Sequence, residues 1–207
     1  MELQSFNPGN KKIIKNIVKL VLISSMFLTG LFSCTAQQVK PLHTAWADAP
    51  TNSYFKDSNN EFDPYVGVWV ASYSGNTIAL NISKELQKPF TFFGKSFFRD
   101  ILSIKFEVRD NTSTIIKSTF NSSFSLNGDH AINSVGKDPN SNDYLFVYNG
   151  GDCAIGIGVI YLKKISINQM YWTYKPETAT LNDITCPPPL NLNTYLPQIN
   201  NLIFTKQ

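Results

Sequence analysis

The sequence has little of what most metal and catalytic sites are built from. Its 207 residues include three cysteines and two histidines, and only 16% of them are charged. Two histidines without a partner at useful spacing leave too few ligands for a zinc site, so we predict no metal and no cofactor. The chain also lacks a hydrophobic run of the roughly 20 residues that a membrane-spanning helix needs. Its 43% hydrophobic content, by contrast, excludes a disordered chain.

The N-terminus has the pattern of a bacterial export signal. Four lysines from Lys11 to Lys19 precede an uncharged run, Leu20 to Phe32, that is too short to span a bilayer. The run ends in Leu31-Phe32-Ser33-Cys34, which resembles a lipobox. That resemblance implies that residues 1–33 are a lipoprotein signal peptide and that Cys34 receives the lipid. An ordinary secretory signal with a chance cysteine is the alternative.

Removal of the signal changes the charge of the chain. Residues 1–33 hold four of the 18 basic residues and one of the 15 acidic residues, so 14 of each remain. No net positive charge is left to attract nucleic acid. An acidic run after the cysteine would resemble a surface-export signal, and the residues that follow Cys34 lack one. We therefore expect a cell-envelope protein anchored in the outer membrane and facing the periplasm.

The rest of the chain divides into a tether and one domain. Residues 34–63 show no hydrophobic period, and we predict a flexible tether in which Trp46 or Tyr54-Phe55 docks locally. Residues 64–207 are rich in short turn signals and lack a long helical period, which predicts an all-β domain. A single antiparallel β-barrel is expected, with a flattened barrel or sandwich as the alternative. The clearest half-buried strand has one face formed by Leu102, Ile104, Phe106 and Val108.

Short motifs in this domain resemble two families. Together with Cys34, Val66-Gly67-Val68-Trp69, Asp100-Ile101-Leu102 and the closing Leu202–Gln207 resemble small lipoproteins of Bacteroidota with a domain of unknown function. Gly67-Val68-Trp69 also resembles the first strand of lipocalin-like barrels. The second resemblance implies that Lys206 packs over Trp69 and closes one end of the barrel. Neither resemblance implies an activity, because a fold does not fix a function.

Two cysteines remain once Cys34 is assigned to the lipid. In an exported chain, the even pair Cys153 and Cys186 predicts a disulfide. It would close a loop of about 34 residues, which in the chain-entropy model contributes roughly 3–4 kcal/mol. Two free buried thiols or a redox pair are the alternatives, and the absence of a Cys-x-x-Cys motif disfavours the redox pair.

An aromatic cluster is the most unusual local feature. No single strand or helix face can bury all five of its phenylalanines, which are Phe90, Phe92, Phe93, Phe97 and Phe98. A loop that packs over one end of the barrel is the plainest interpretation. The alternatives are a lid over a ligand site and an exposed patch for a partner or a lipid. The cations that flank the cluster would suit a lipid headgroup or an acyl carboxylate.

No motif in the chain predicts a catalytic residue. His130 next to Asp129 has no accompanying nucleophile motif, and the carboxylates are scattered along the sequence. We therefore expect a non-enzymatic, lipocalin-like protein that binds a small apolar ligand in the barrel or at Phe90–Phe98. The alternative is a structural or interaction module that presents the aromatic loop to a protein partner. The sequence does not predict an oligomeric state.

Overall fold

The computed structural model describes residues 15–19, 36–178, 181, 186–187, 189 and 191–207. The chain divides into two units, Met1–Gln37 and Gln38–Gln207. Within the first unit, residues 15–19 are helical. In the described residues, no helix has both the length and the apolar character needed to cross a membrane. Cys34 and most of the predicted signal, residues 1–33, lie outside the described residues.

The second unit is a β-structure, as the sequence predicts. Its described residues form eleven strands in one sheet, with single turns of 3-10 helix at Trp46–Asp48 and Asp152–Ala154. The strands are β1 Val39–Pro41, β2 Tyr54–Lys56, β3 Gly67–Tyr73, β4 Asn76–Phe92, β5 Lys95–Arg109, β6 Ile115–Ser118, β7 Ile132–Lys137, β8 Tyr144–Tyr148, β9 Gly158–Lys164, β10 Gln169–Pro176 and β11 Leu202–Lys206.

Eight of these strands close into an antiparallel barrel. Along the sheet they follow chain order, β3-β4-β5-β7-β8-β9-β10-β11, and β6 pairs with β5 outside this path. The last strand returns to the first, with Lys206 opposite Trp69. On the far side, Ser103 of β5 is paired with Asn133 of β7. The predicted all-β barrel is confirmed, and closure of the sheet decides against an open sandwich.

The barrel interior is a packed hydrophobic core. Successive strand residues point to opposite faces, and the inward-facing positions carry large apolar side chains. Those without any solvent exposure include Trp69, Phe106, Phe146, Trp172 and Phe204. The interior of an eight-stranded barrel is just wide enough for side chains to fill it. These side chains form one core cluster, which fills the interior of the closed barrel.

Residues 38–63, here called the N-terminal segment, are folded against the barrel rather than free. Strand β1 pairs in parallel with β2, and β2 pairs in parallel with β5. Phe55 of β2 is buried against the sheet, and Phe62 is buried in the barrel core. The prediction of a flexible tether over residues 34–63 therefore does not hold for residues 38–63. Their burial depends on pairing with a strand more than 40 positions away, which local sequence patterns do not reveal.

Strands β4 and β5 continue beyond the barrel as a two-stranded extension. Within the barrel, β4 pairs with β3 only as far as Ile82. A bulge lies between Glu85 and Lys88, and pairing with β5 then resumes up to the turn at Phe93-Gly94. We call residues 86–100 the hairpin arm. The aromatic cluster therefore forms a projecting β-hairpin, and the expected loop over a barrel end is wrong.

The segment before β11 packs on the barrel end at which β9 begins. Cys153 and Cys186 form a disulfide with a Cα–Cα distance of 5.9 Å, which confirms the predicted pair. The indole Nε1–H of Trp172 donates to the carbonyl oxygen of Pro197 at 3.0 Å, and Leu196 is buried. All eleven described strands, the buried core and the disulfide lie within residues 38–207. This segment therefore contains the interactions of an independently folding unit.

Candidate functional site

A second, smaller core joins the hairpin arm to the N-terminal segment. Ala49, Phe55 and Phe97 are buried in it, and Trp46 and Phe90 pack against them. Phe90 lies opposite Phe97 across the hairpin, and their rings stack with centroids 5.4 Å apart. The ring of Phe55 lies 5.5 Å from that of Phe97. Aromatic side chains from three strands thus fix one face of the arm.

The five phenylalanines of the cluster divide into three environments. Phe90 and Phe97 belong to the second core, and Phe92 continues their face with its ring 4.3 Å from that of Trp46. Phe93 occupies the hairpin turn and is 91% exposed. Phe98 points to the opposite face of β5 and is half-buried. The structure therefore brings together Phe90, Phe92 and Phe97 on one face, with the ring of Phe93 touching that of Phe92 at the tip and Phe98 on the opposite face.

A cleft of about 250 Å³ lies between the second core and the outer face of the barrel. Its polar lining includes Asn133, Ser134 and Asn149. The apolar side chains of its wall include Trp46, Phe90, Phe92, Ile101, Leu126 and Val147. Typical sites for small molecules have volumes of about 300–1,000 Å³ and mostly apolar walls with a few polar groups. This cleft has that chemical character and a slightly smaller volume.

Arg99 is the charged group in the wall of the cleft. It is only 7% exposed, and its guanidinium carbon lies 5.8 Å from the ring centroid of Trp46 and 5.6 Å from that of Phe90. Its Nη1 donates to the carbonyl oxygen of Val135 at 3.0 Å, while its buried Nε has no hydrogen-bond partner among the described residues. Burial lowers the pKa of Arg99 to about 10, so the group is still charged at neutral pH.

No described carboxylate is close enough to Arg99 to form an ion pair, although Asp100 is its chain neighbour. The Asp100 side chain points away and accepts the Tyr54 hydroxyl at 2.6 Å and the backbone N–H groups of Asp57 and Gln87 at 2.9 and 3.0 Å. Burial and the hydrogen bond to Asp100 raise the pKa of Tyr54 to about 12. Asp100 therefore anchors the N-terminal segment to the arm, and Arg99 is left without a counter-ion.

A buried ion pair completes the attachment of the N-terminal segment. Asp57 has a fully buried side chain and contacts Lys84 Nζ at 2.8 Å. It also accepts the backbone N–H groups of Glu61 and Phe62 at 2.8 and 3.1 Å. A buried carboxylate is tolerated when it is both paired and hydrogen-bonded. These bonds fix the N-terminal segment, which supplies Trp46 to the cleft wall.

Glu61 is the centre of a polar cluster on the adjoining surface. Its Oε2 contacts Lys137 Nζ at 2.5 Å, His43 Nε2 at 2.9 Å and the Tyr144 hydroxyl at 3.3 Å. Burial raises the pKa of Glu61, but the hydrogen bonds from Lys137 and His43 outweigh this and lower it to about 2. His43 and Lys137 line a further cleft of about 390 Å³, which shares Trp46 and Arg99 with the first. Arg99 therefore lies in the wall between two clefts.

Trp69 and Lys206 meet at the barrel end nearer the arm. Lys206 Nζ lies 5.3 Å from the centroid of the Trp69 ring, and Lys164 Nζ lies 4.2 Å from it. A side chain at Gly67 would meet Lys206 Cε at 2.9 Å, so the glycine makes room for this lysine. Burial and the charge of Lys206 lower the pKa of Lys164. Sequence reasoning named Lys206 and missed Lys164. Every second residue of β9 faces the barrel interior, and this alternation places Lys164 on the inner face.

The roles of Arg99 and Trp46 also escape sequence reasoning. In the sequence, Arg99 is visible only as a cation beside the aromatic run, and Trp46 only as a candidate for local docking. Their contact depends on the parallel pairing of β2 with β5, which brings the N-terminal segment over the arm. Among the described residues, no group of three or more histidine, cysteine or acidic side chains has the geometry of a metal site.

Comparisons with protein-family models, with curated proteins and with solved structures find no match to this chain. The resemblances to Bacteroidota lipoproteins and to lipocalins therefore stay predictions from short motifs.

Proposed function

We propose that this protein is a non-enzymatic, lipid-anchored binding protein of the bacterial cell envelope. In this proposal Cys34 carries the lipid, the outer membrane holds the anchor, and the domain faces the periplasm. The ligand is a small amphipathic anion, such as a fatty acid, bound in the cleft beside the hairpin arm. The barrel has eight antiparallel strands, but the proposed ligand lies outside it because the core residues fill its interior.

The observation that carries this proposal is Arg99. A buried charge normally has a counter-ion and a full set of hydrogen bonds. Arg99 has one hydrogen bond, two aromatic neighbours and an unused Nε, and it borders an apolar cleft. A carboxylate would supply the missing charge and bonds, since guanidinium groups bind carboxylates at two points. The apolar wall then receives the first part of an acyl chain.

The first test is mass spectrometry of solvent extracts from the purified Thr35–Gln207 chain. The chain is produced in an oxidising compartment, so that the disulfide forms, and it lacks Cys34, so that no anchor lipid confuses the result. We expect a near-stoichiometric amphiphile with a carboxylate or a similar anionic group. Extracts that contain no such molecule after native purification, from a chain that unfolds cooperatively, contradict the proposal.

The second test compares dodecanoate with dodecanol by calorimetric titration. A hydrogen bond to a charged group contributes about 1.5–3 kcal/mol. In Arg99→Met we therefore expect affinity for dodecanoate to fall about 10- to 100-fold, with little change for the alcohol. Lys95→Met is the matched control, because it removes an exposed cation from the same arm. An equal loss for both ligands in Arg99→Met would mean that Arg99 shapes the cleft without recognising the anion.

One observation favours the alternative of an interaction module. Phe93 is 91% exposed at the end of a projecting hairpin, where a protein partner could contact it. The neighbouring Phe92 ring contacts Phe93 and extends the apolar surface at this turn. This alternative requires no ligand in the cleft, so the two tests above distinguish it from the binding protein.

A further inference from the structure

The geometry points to a membrane-docking role for the tip of the hairpin arm. We propose that Phe92 and Phe93 insert into the bilayer that holds the Cys34 anchor, with Lys95 beside its headgroups. The cleft lined by Arg99 then opens at the bilayer surface. This inference rests on the lipid anchor of the proposed function and adds a second, independent contact with the membrane.

The turn of the arm carries residues that the fold itself does not favour. Phe93 and Gly94 both have positive φ, 45° and 74°, as the two central residues of a tight hairpin turn do. Asparagine, aspartate and glycine favour this conformation, whereas bulky residues adopt it at a cost. Phe93 is 91% exposed, and its ring contact within the fold is with Phe92. An apolar environment outside the protein would explain its presence.

The chain approaches β1 from the side of the molecule on which this turn lies. Strand β1 is parallel to β2 and β5, with Val39 opposite Tyr54 and Tyr54 opposite Phe98. Because β5 runs away from the hairpin turn, the chain enters β1 from the turn side. Cys34 precedes Val39 by five residues, a length that spans at most about 18 Å when fully extended.

The short stretch of chain between Cys34 and β1 limits how far the sheet can lie from a lipid on Cys34. Phe93 precedes Phe98 by five residues along β5, the same number that separates Cys34 from Val39. A free tether of 30 residues would have let the domain drift far from the bilayer. The folded N-terminal segment instead holds the start of β1 within about 18 Å of the lipid-bearing residue. The turn end of the arm is the part of the sheet that faces the membrane.

The charge and the chemistry of the tip fit a phospholipid surface. Lys95 is exposed directly after the turn, and Lys88 lies on the facing strand, where it pairs with Glu85. Segments that lie at a membrane surface combine Lys or Arg on their polar face with Trp, Phe or Leu on the face that enters the bilayer. Phe92 belongs both to the tip and to the cleft wall, since its ring contacts those of Phe93 and Trp46. An amphiphile could thus pass from bilayer to cleft without crossing water.

The experiment is flotation of the Thr35–Gln207 chain with vesicles of phosphatidylethanolamine and phosphatidylglycerol. This chain lacks Cys34, so any binding belongs to the domain itself. We expect the unaltered chain to float with vesicles and Phe93→Asn to bind about tenfold more weakly, from the loss of one buried aromatic ring. Asparagine suits the turn, so this variant keeps the fold. Leu192→Asn, which removes an exposed apolar residue near the barrel end that holds the disulfide, is the matched control and should bind normally.

A second measurement identifies what the tip contacts. In Phe93→Trp, brominated phosphatidylcholine should quench the fluorescence of the introduced tryptophan beyond the quenching seen in the unaltered chain. Equal flotation of Phe93→Asn and the unaltered chain, or no added quenching in Phe93→Trp, would overturn the inference. Crosslinking of position 93 to a protein in intact envelopes, with no lipid adduct, would also overturn it. If a chain that does not float with vesicles still binds dodecanoate, this inference alone is contradicted. The proposed function is then unaffected.

Discussion

The barrel and the hairpin arm bury side chains in opposite ways. Inside the barrel, the buried set is almost wholly apolar, with Trp69, Phe106 and Trp172 fully enclosed. Where the arm meets the N-terminal segment, the buried set includes Asp57, Arg99 and Asp100. The first region gains stability from every side chain that it hides. The second holds charges that cost free energy unless they are paired, and one of them is unpaired.

The buried side chains of the barrel serve stability. The region around the arm instead contains a buried cation, Arg99, with an unsatisfied N–H group among the described residues. Asp57 and Asp100 each accept several hydrogen bonds, so their burial is compensated within the fold. Arg99 has no such compensation among the described residues. An unsatisfied buried group in a native protein calls for a specific explanation, such as strain, a catalytic role or a bound ion or water. The contrast therefore supports the proposal of a ligand site beside the arm.

The largest expected effect comes from the barrel core. Phe106→Ala should lower the free energy of unfolding by about 3–5 kcal/mol, because a fully enclosed ring is lost and a cavity remains. Phe97→Ala removes the same ring from the second core and should open the arm while the barrel stays folded. Chemical denaturation monitored at two sites, with probes on the arm and on β9, checks this. A single shared transition in both variants would mean that arm and barrel form one cooperative unit.

Asp100→Ala should have the next largest effect, and a local one. It leaves the Tyr54 hydroxyl and the backbone N–H groups of Asp57 and Gln87 without their acceptor, at a cost of about 2–4 kcal/mol in all. Hydrogen exchange should therefore accelerate in β1 and β2 and stay slow in β8 and β9. Ser141→Ala, at an exposed loop position, is a control that should change neither region. Uniformly faster exchange in Asp100→Ala would contradict a separate arm.

The same contrast explains how far the sequence predicts the structure. The alternation from Leu102 to Val108 predicts its strand because each residue's burial depends on its own position in a two-residue repeat. The Cys153–Cys186 bond is predicted as the pair of cysteines that remains when Cys34 is assigned to a lipid in an exported chain. The parallel pairing of Tyr54 with Phe98, which joins β2 to β5, has no such local signal, since β2 has only three residues. The candidate site depends on that pairing, and it was therefore visible only as an unexplained aromatic run beside Arg99.

A smaller effect is expected from Glu61 as the pH falls. Its pKa is lowered from 4.5 to about 2 in the folded chain, so the stability it contributes is present above pH 4.5 and is lost between these values. Glu61 is partly exposed, so we expect about 1 kcal/mol or less. The stability difference between the unaltered chain and Glu61→Gln should shrink over this interval. The stability difference caused by Glu61→Gln should also be smaller in a chain that carries Lys137→Met, because this substitution removes a partner that lowers the pKa of Glu61.

The smallest expected change in stability comes from Arg99→Met, and it tests the comparison most sharply. The substitution loses the bond to Val135 and two aromatic contacts, but it also removes an unpaired buried charge. Replacing buried charges by apolar groups of similar volume is often neutral or stabilising. We therefore expect the free energy of unfolding to stay within about 1 kcal/mol of the original or to rise. A loss as large as that of Phe106→Ala would make Arg99 a structural residue like those of the barrel. An unchanged or higher stability, together with lost dodecanoate binding, would mean that the fold keeps this charge for a ligand.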